Sequence, residues 1–88
     1  MARIIDGVRM NMIGEQVRFL RKKKKMSQKA LSEKLELLGV YVCRGSVSRI
    51  EDQSRTVTDI EMFAIARVLE VSTEALFSTK GFDQFTEK

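Results

Sequence analysis

Residues Ser27 to Glu51, SQKALSEKLELLGVYVCRGSVSRIE, read as two short amphipathic helices joined by a glycine-containing turn, a spacing that few folds accommodate. Ser27 has the chemistry of an N-cap. Ala30, Leu31 and Leu35 fall on one face of the helix it starts, with Gln28, Lys29, Glu33 and Lys34 on the other. Leu38 extends the apolar face and Gly39 ends the helix. The next helix runs from about Arg44 to Asp52, with Val47 and Ile50 inward and Arg44, Ser46, Ser48 and Arg49 outward. Val40, Tyr41 and Val42, between the two, have strand-like side chains. No second run of that character offers them a partner, so a turn is predicted there.

The flanking segments supply the rest of a bundle. From Asn11, an N-cap candidate, Ile13, Val17 and Leu20 recur at helical spacing to about Lys24, with Phe19 packing at the edge. After the polar stretch Asp52 to Val57, Thr58 and Glu61 have the spacing of a capping box. Ile60, Phe63, Ala66 and Leu69 then form the predicted buried stripe of a fourth helix. Ser72 caps a short fifth helix in which Ala75, Leu76 and Phe77 close the core. Residues 1–10 show no period and read as an arm. Residues 78–88 read as a polar tail marked by Phe82 and Phe85, which leaves 11–77 as the folded domain. Absent proline and five glycines in 88 residues suit an all-α bundle, and 43% hydrophobic content suits a single small core.

Charge and cysteine usage narrow the function. Sixteen basic against twelve acidic residues give a net charge of +4, with the basic groups gathered toward the N-terminal half around Arg21 to Lys25. That asymmetry fits a polyanionic partner, but it fits a solvated helix end favoured by its own dipole equally well. One cysteine and no histidine leave no set of residues for a disulfide, a usual zinc site or histidine acid–base chemistry. No nucleophile is paired with a base, and no glycine-rich phosphate loop is present. The reading is therefore not an enzyme, with no catalytic residues, no metal and no cofactor. No apolar run approaches the ~20 residues of a membrane span, and no secretory leader is seen, so a cytoplasmic location is expected.

Two helices with this turn are the grammar of a helix-turn-helix, in which the second helix enters the major groove and the first crosses the backbone. Arg44, Ser46 and Arg49 are accordingly the candidates for base readout. The Arg44 fork can donate two hydrogen bonds to guanine, a pairing worth about 1–3 kcal/mol of discrimination. Ser27, Gln28, Lys29, Gly45, Ser48 and Arg55 are the phosphate candidates. Gln28 has a donor amide beside the partly positive helix start, and Gly45 lets the backbone approach closely. Cys43 reads as a small half-buried residue.

On these residues the chain resembles the Xre/Cro-type, lambda-repressor-like helix-turn-helix regulators. The blocks that carry the resemblance are Ile13, Val17, Leu20 and Arg21, then SQKALSEKL from Ser27, SVSRIED from Ser46, and TDIEMFAIARVLEVSTEALF from Thr58 to Phe77. Their order and spacing match the family over about 13–77. The resemblance implies a five-helix bundle that binds a palindromic operator on double-stranded DNA as a homodimer, commonly as a transcriptional repressor. Three departures stand out: ELLGVYVC lengthens the connection after Leu35, Cys43 replaces the usual Ser or Thr before the second helix of the motif, and Asp52-Gln53 replaces the usual Asn-Gly after it. An alternative keeps the same bundle but makes it a protein-interaction module, such as an antitoxin, whose partner is a toxin or another regulator. The tail aromatics and the isoleucine-rich arm motivate it.

Overall fold

Each helix ends in the same way, and that shared ending sets how the chain turns. In the computed structural model, which describes residues 9–77, α1 spans Gly14–Lys23, α2 Gln28–Leu37, α3 Arg44–Glu51 and α4 Asp59–Leu69. A single 3-10 turn, Thr73–Leu76, follows. After each helix one residue adopts a left-handed conformation: Lys25 (φ 58°), Gly39 (φ 83°), Gln53 (φ 65°) and Glu70 (φ 61°). The next amide then bonds back to the carbonyl five residues earlier, Met26 to Arg21, Val40 to Leu35, Ser54 to Arg49 and Val71 to Ala66. This is the Schellman arrangement, which satisfies the last carbonyls of a helix. Only one of the four positions is glycine.

The starts are capped by side chains as the residue chemistry suggests. Ser27 accepts from the Ala30 amide, Ser72 from the Ala75 amide, and Thr58 and Glu61 form both halves of the capping box. The start of α1 differs from expectation. Ile13 is its N-cap, and Asn11 acts from outside: its Oδ1 accepts from the amides of Ile13 (3.1 Å) and Gly14 (2.8 Å). The Asn11 Nδ2 donates to the carbonyls of Ile50 and Arg55, so α1 begins fastened to the end of α3.

All described residues are helical or irregular, with no strand among them. α2 packs on α3 and α4, α1 packs on α3, and the 3-10 turn closes the bundle against α1 and α4. The core consists of Ile13, Val17, Leu31, Leu35, Val42, Val47, Ile50, Ile65, Leu69 and Leu76 together with Ala64 and Ala66. The lengthened connection between α2 and α3 is held inward by Val42, whose carbonyl accepts from the Ser32 hydroxyl at 2.7 Å.

Several expectations are corrected. The fifth α-helix is the single 3-10 turn, of which Leu76 alone is fully buried. On α4 the expected stripe is rotated: Ile60 is 66% and Phe63 57% exposed, while Ala64 and Ile65 go inside with Ala66 and Leu69. Phe19, Leu38 and Phe77 are also exposed rather than packed. The arm through residue 8 and the whole tail, with Phe82 and Phe85, lie outside the described residues.

Candidate nucleic-acid interface

The placement of α3 follows from one buried charge pair. Arg21 lies four residues beyond Val17 on the inward stripe of α1, so its guanidinium enters the core. There its Nε donates to Glu51 Oε2 at 2.6 Å and its Nη2 to Glu51 Oε1 at 3.0 Å. Both side chains are almost wholly buried. The third guanidinium nitrogen is engaged as well, since Nη1 donates to the Met26 carbonyl, and Gln28 Nε2 donates to Glu51 Oε1 at 3.1 Å. α1, the start of α2 and the end of α3 are thus joined by one fully bonded network, and no buried side-chain polar atom among the described residues lacks a partner. Removing a buried, paired charge from such a network is far costlier than its net worth, because its partner is stranded in low dielectric.

The basic run was therefore two things at once. Arg21 is structural, whereas Lys22 to Lys25 are exposed, with Lys24 reaching Glu70 at 2.7 Å. Neither the solvated-face reading nor the phosphate reading anticipated a buried arginine. The signal was its register with Ile13 and Val17.

With its inner face fixed by Val47, Ile50 and Glu51, α3 turns its other side outward. Arg44 and Arg49 are exposed and Ser46 is half-buried. Arg49 Nη2 donates to Ser46 Oγ at 3.2 Å, so two of the three base-readout candidates already form one polar cluster a turn apart. The Arg44 side chain makes no hydrogen bond or ion pair with the described residues, and its five donors face solvent. Gly45 is exposed, and a Cβ there would meet only ordinary contacts at 3.9 Å or more. Ser48 is half-buried beside them.

The start of α3 lacks a conventional cap. Cys43 has the extended backbone of an N-cap but makes no capping bond through its side chain. Its exposed thiol lies 3.6 Å from the Ser46 hydroxyl. That hydroxyl and the Ser46 amide, with lesser help from the Gly45 amide and the Arg49 charge, lower the thiol pKa below its ordinary value against the opposing effect of desolvation. No side-chain oxygen caps the first amides of α3.

The phosphate candidates divide into two groups. Ser27, Gln28 and Lys29 gather at the start of α2, where the Ser27 oxygen is taken by its cap and the Gln28 amide is turned toward Glu51. Arg55 lies apart, gripped by Glu61 through two hydrogen bonds of 3.1 and 3.2 Å. Burial pushes the Glu61 carboxyl up, but Arg55 together with the amide and hydroxyl of Thr58 outweighs it and holds the pKa below the usual value.

The model of a family described as helix-turn-helix matches residues 17–76, more than half of the chain. No curated protein sequence matches. Among solved structures, the restriction-modification controller protein C.AhdI from Aeromonas hydrophila is 27% identical with a TM-score of 0.66. The alignment covers 75% of this chain and 92% of that one. Hydroxypropylphosphonic acid epoxidase from S. wedmorenis is 25% identical, also at a TM-score of 0.66, over 81% of this chain. The likeness spans only 35% of the epoxidase, so it relates this chain to one part of that enzyme.

Proposed function

Given a chain that belongs to the Xre-type, lambda-repressor-like helix-turn-helix family and is a DNA-binding transcriptional regulator, we propose that it acts without catalysis and represses transcription by binding a palindromic operator as a homodimer. The observation that carries the proposal is the outward face of α3. Arg44 is unengaged and Arg49 and Ser46 are clustered on a helix whose direction is locked by the buried Arg21–Glu51 pair. In a two-fold assembly two such helices enter successive major grooves about 34 Å apart. Arg44 and Arg49 read base edges, the starts of α3 and α2 hold phosphates, and Lys22, Lys23, Lys25 and Lys29 add long-range attraction. The protein acts by occupying DNA, and its location is that of the genome, in the cytoplasm. The likeness to a protein named as a controller supports the regulatory reading.

Selection of bound duplexes from a random pool tests this. The expected result is an inverted repeat whose half-site centres lie about one helical turn apart. Arg44→Ala should then narrow the gap between operator and random DNA by about 1–3 kcal/mol. Recovery of no preferred sequence would refute the proposal.

A further inference from the structure

The rotated stripe of α4 leaves large apolar side chains in water on the outer face of the bundle. Ile60 and Phe63 project there, and Leu37 and Leu38 at the end of α2 stand beside them at 85% and 50% exposure. Between them runs an apolar groove of about 270 Å³ lined by Leu38, Val40, Ile60, Phe63, Ala64 and Arg67. Contiguous apolar surface of this kind on a small domain marks a contact with another macromolecule. Nothing in the reading of α3 uses it.

The charges along the same face identify the occupant. Asp59, Phe63 and Arg67 follow one another at intervals of four residues on the exposed side of α4, with the acid at its start, the aromatic in the middle and the base at its end. Arg67 lies over the Phe63 ring, 5.7 Å from its centroid. Within one helix Asp59 and Arg67 are about 12 Å apart along the axis, too far to pair. Around a two-fold axis through Phe63, an antiparallel copy would set Asp59 of each chain opposite Arg67 of the other and stack the apolar residues between them. The pattern is self-complementary, as an isologous interface must be.

We propose that the α4 face centred on Phe63, flanked by Leu37, Leu38 and Ile60, is the dimerisation surface of this protein, with a second copy packed antiparallel and Asp59–Arg67 pairs at both ends. This rests on the homodimer reading above and deepens it by assigning the surface and register. Dimerisation here leaves α3 uncovered, because none of its residues lines the groove.

Sedimentation equilibrium on the full-length chain tests the proposal. Wild type should be a dimer, and Phe63→Glu, on an exposed site, should keep its helical circular dichroism while weakening the dimer by at least about a hundredfold. Asp59→Arg and Arg67→Asp should each weaken it by about tenfold through like charges at both ends, and the double variant should regain most of that loss. Because the two positions cannot meet within one chain, rescue reports contact between chains. A folded Phe63→Glu chain that dimerises as wild type does would overturn the surface, and a double variant no better than the sum of its singles would overturn the register. A monomeric wild type whose melting temperature falls on Phe63→Glu would assign the face to residues 78–88 of the same chain and also overturn the proposal. A dimer with the expected charge rescue that selects no DNA would support this interface while removing the operator reading.

Discussion

Two glycines with opposite environments show how much a missing side chain can carry. Gly14 lies where α1 meets the end of α3, and a Cβ there would collide with the Ile50 carbonyl oxygen. Gly14→Ala should therefore destabilise the fold by about 2 kcal/mol or more, as overpacking against backbone does, measured as a loss in the urea midpoint. Gly45 has room for a methyl group, and alanine is the better helix former by about 0.5–1 kcal/mol. Gly45→Ala should raise the melting temperature yet weaken operator binding by roughly tenfold, because in the proposed complex the added group stands where the backbone would approach the duplex. Equal binding by the more stable variant would remove Gly45 from the interface. From the sequence, Gly45 could be suspected by its place in the motif. Gly14 could not, since its constraint comes from a carbonyl 36 positions later, a distance no local pattern encodes.

At the scale of helices and their ends, the capping residues Ser27, Thr58 and Ser72 and the helices they start were legible, because caps act within three residues. The inner face of α4 was not. Its sequence DIEMFAIARVL is apolar nearly all round, so the stripe through Ile60 and Phe63 and the stripe through Ile65 and Leu69 satisfy helical spacing equally well. The core takes the second, with Ala64 and Ala66 buried beside it. Left-handed Lys25, exposed after α1, accepts a strain that glycine would avoid. Lys25→Gly should thus gain about 0.5–1 kcal/mol in chemical denaturation, with operator affinity lowered only by the lost charge. The capping box of α4 supplies a pH dependence. Since the folded pKa of Glu61 is depressed, its contribution to stability is fully present above the unfolded value of about 4.3 and is lost as pH falls toward the folded one. Below about pH 4.3 the wild-type denaturation midpoint should drop more steeply than that of Glu61→Gln.

For the molecule as a whole, the buried Arg21–Glu51 pair separates stability from geometry. Arg21→Met leaves Glu51 and its Gln28 partner without their cation, so a loss of about 3–5 kcal/mol is expected in the equilibrium unfolding free energy. Arg21→Met combined with Glu51→Leu should recover most of that loss but not operator affinity, because apolar contacts tolerate many angles between α1 and α3 whereas a two-point charge pair tolerates one. Full recovery of both would show that packing alone aims α3. The charge run around Arg21 concealed this role in the sequence, where only its register with Ile13 and Val17 sets the arginine apart from the four lysines.

The fastening of Asn11 has a consequence for synthesis. Its side chain bonds to carbonyls 39 and 44 residues further along, the Met10 amide donates to the Gln53 carbonyl, and Gln53 Nε2 returns a bond to the Asn11 carbonyl. A ribosome makes α1 first, but the partners that hold its entrance arrive only with residues 50 to 55. An isolated ten-residue helix is unstable in water, so α1 must wait, frayed, for the other end of the knot. The first of the described helices to be made is thus among the last of them to become rigid, and α3 is aimed only after the chain has been completed through that knot.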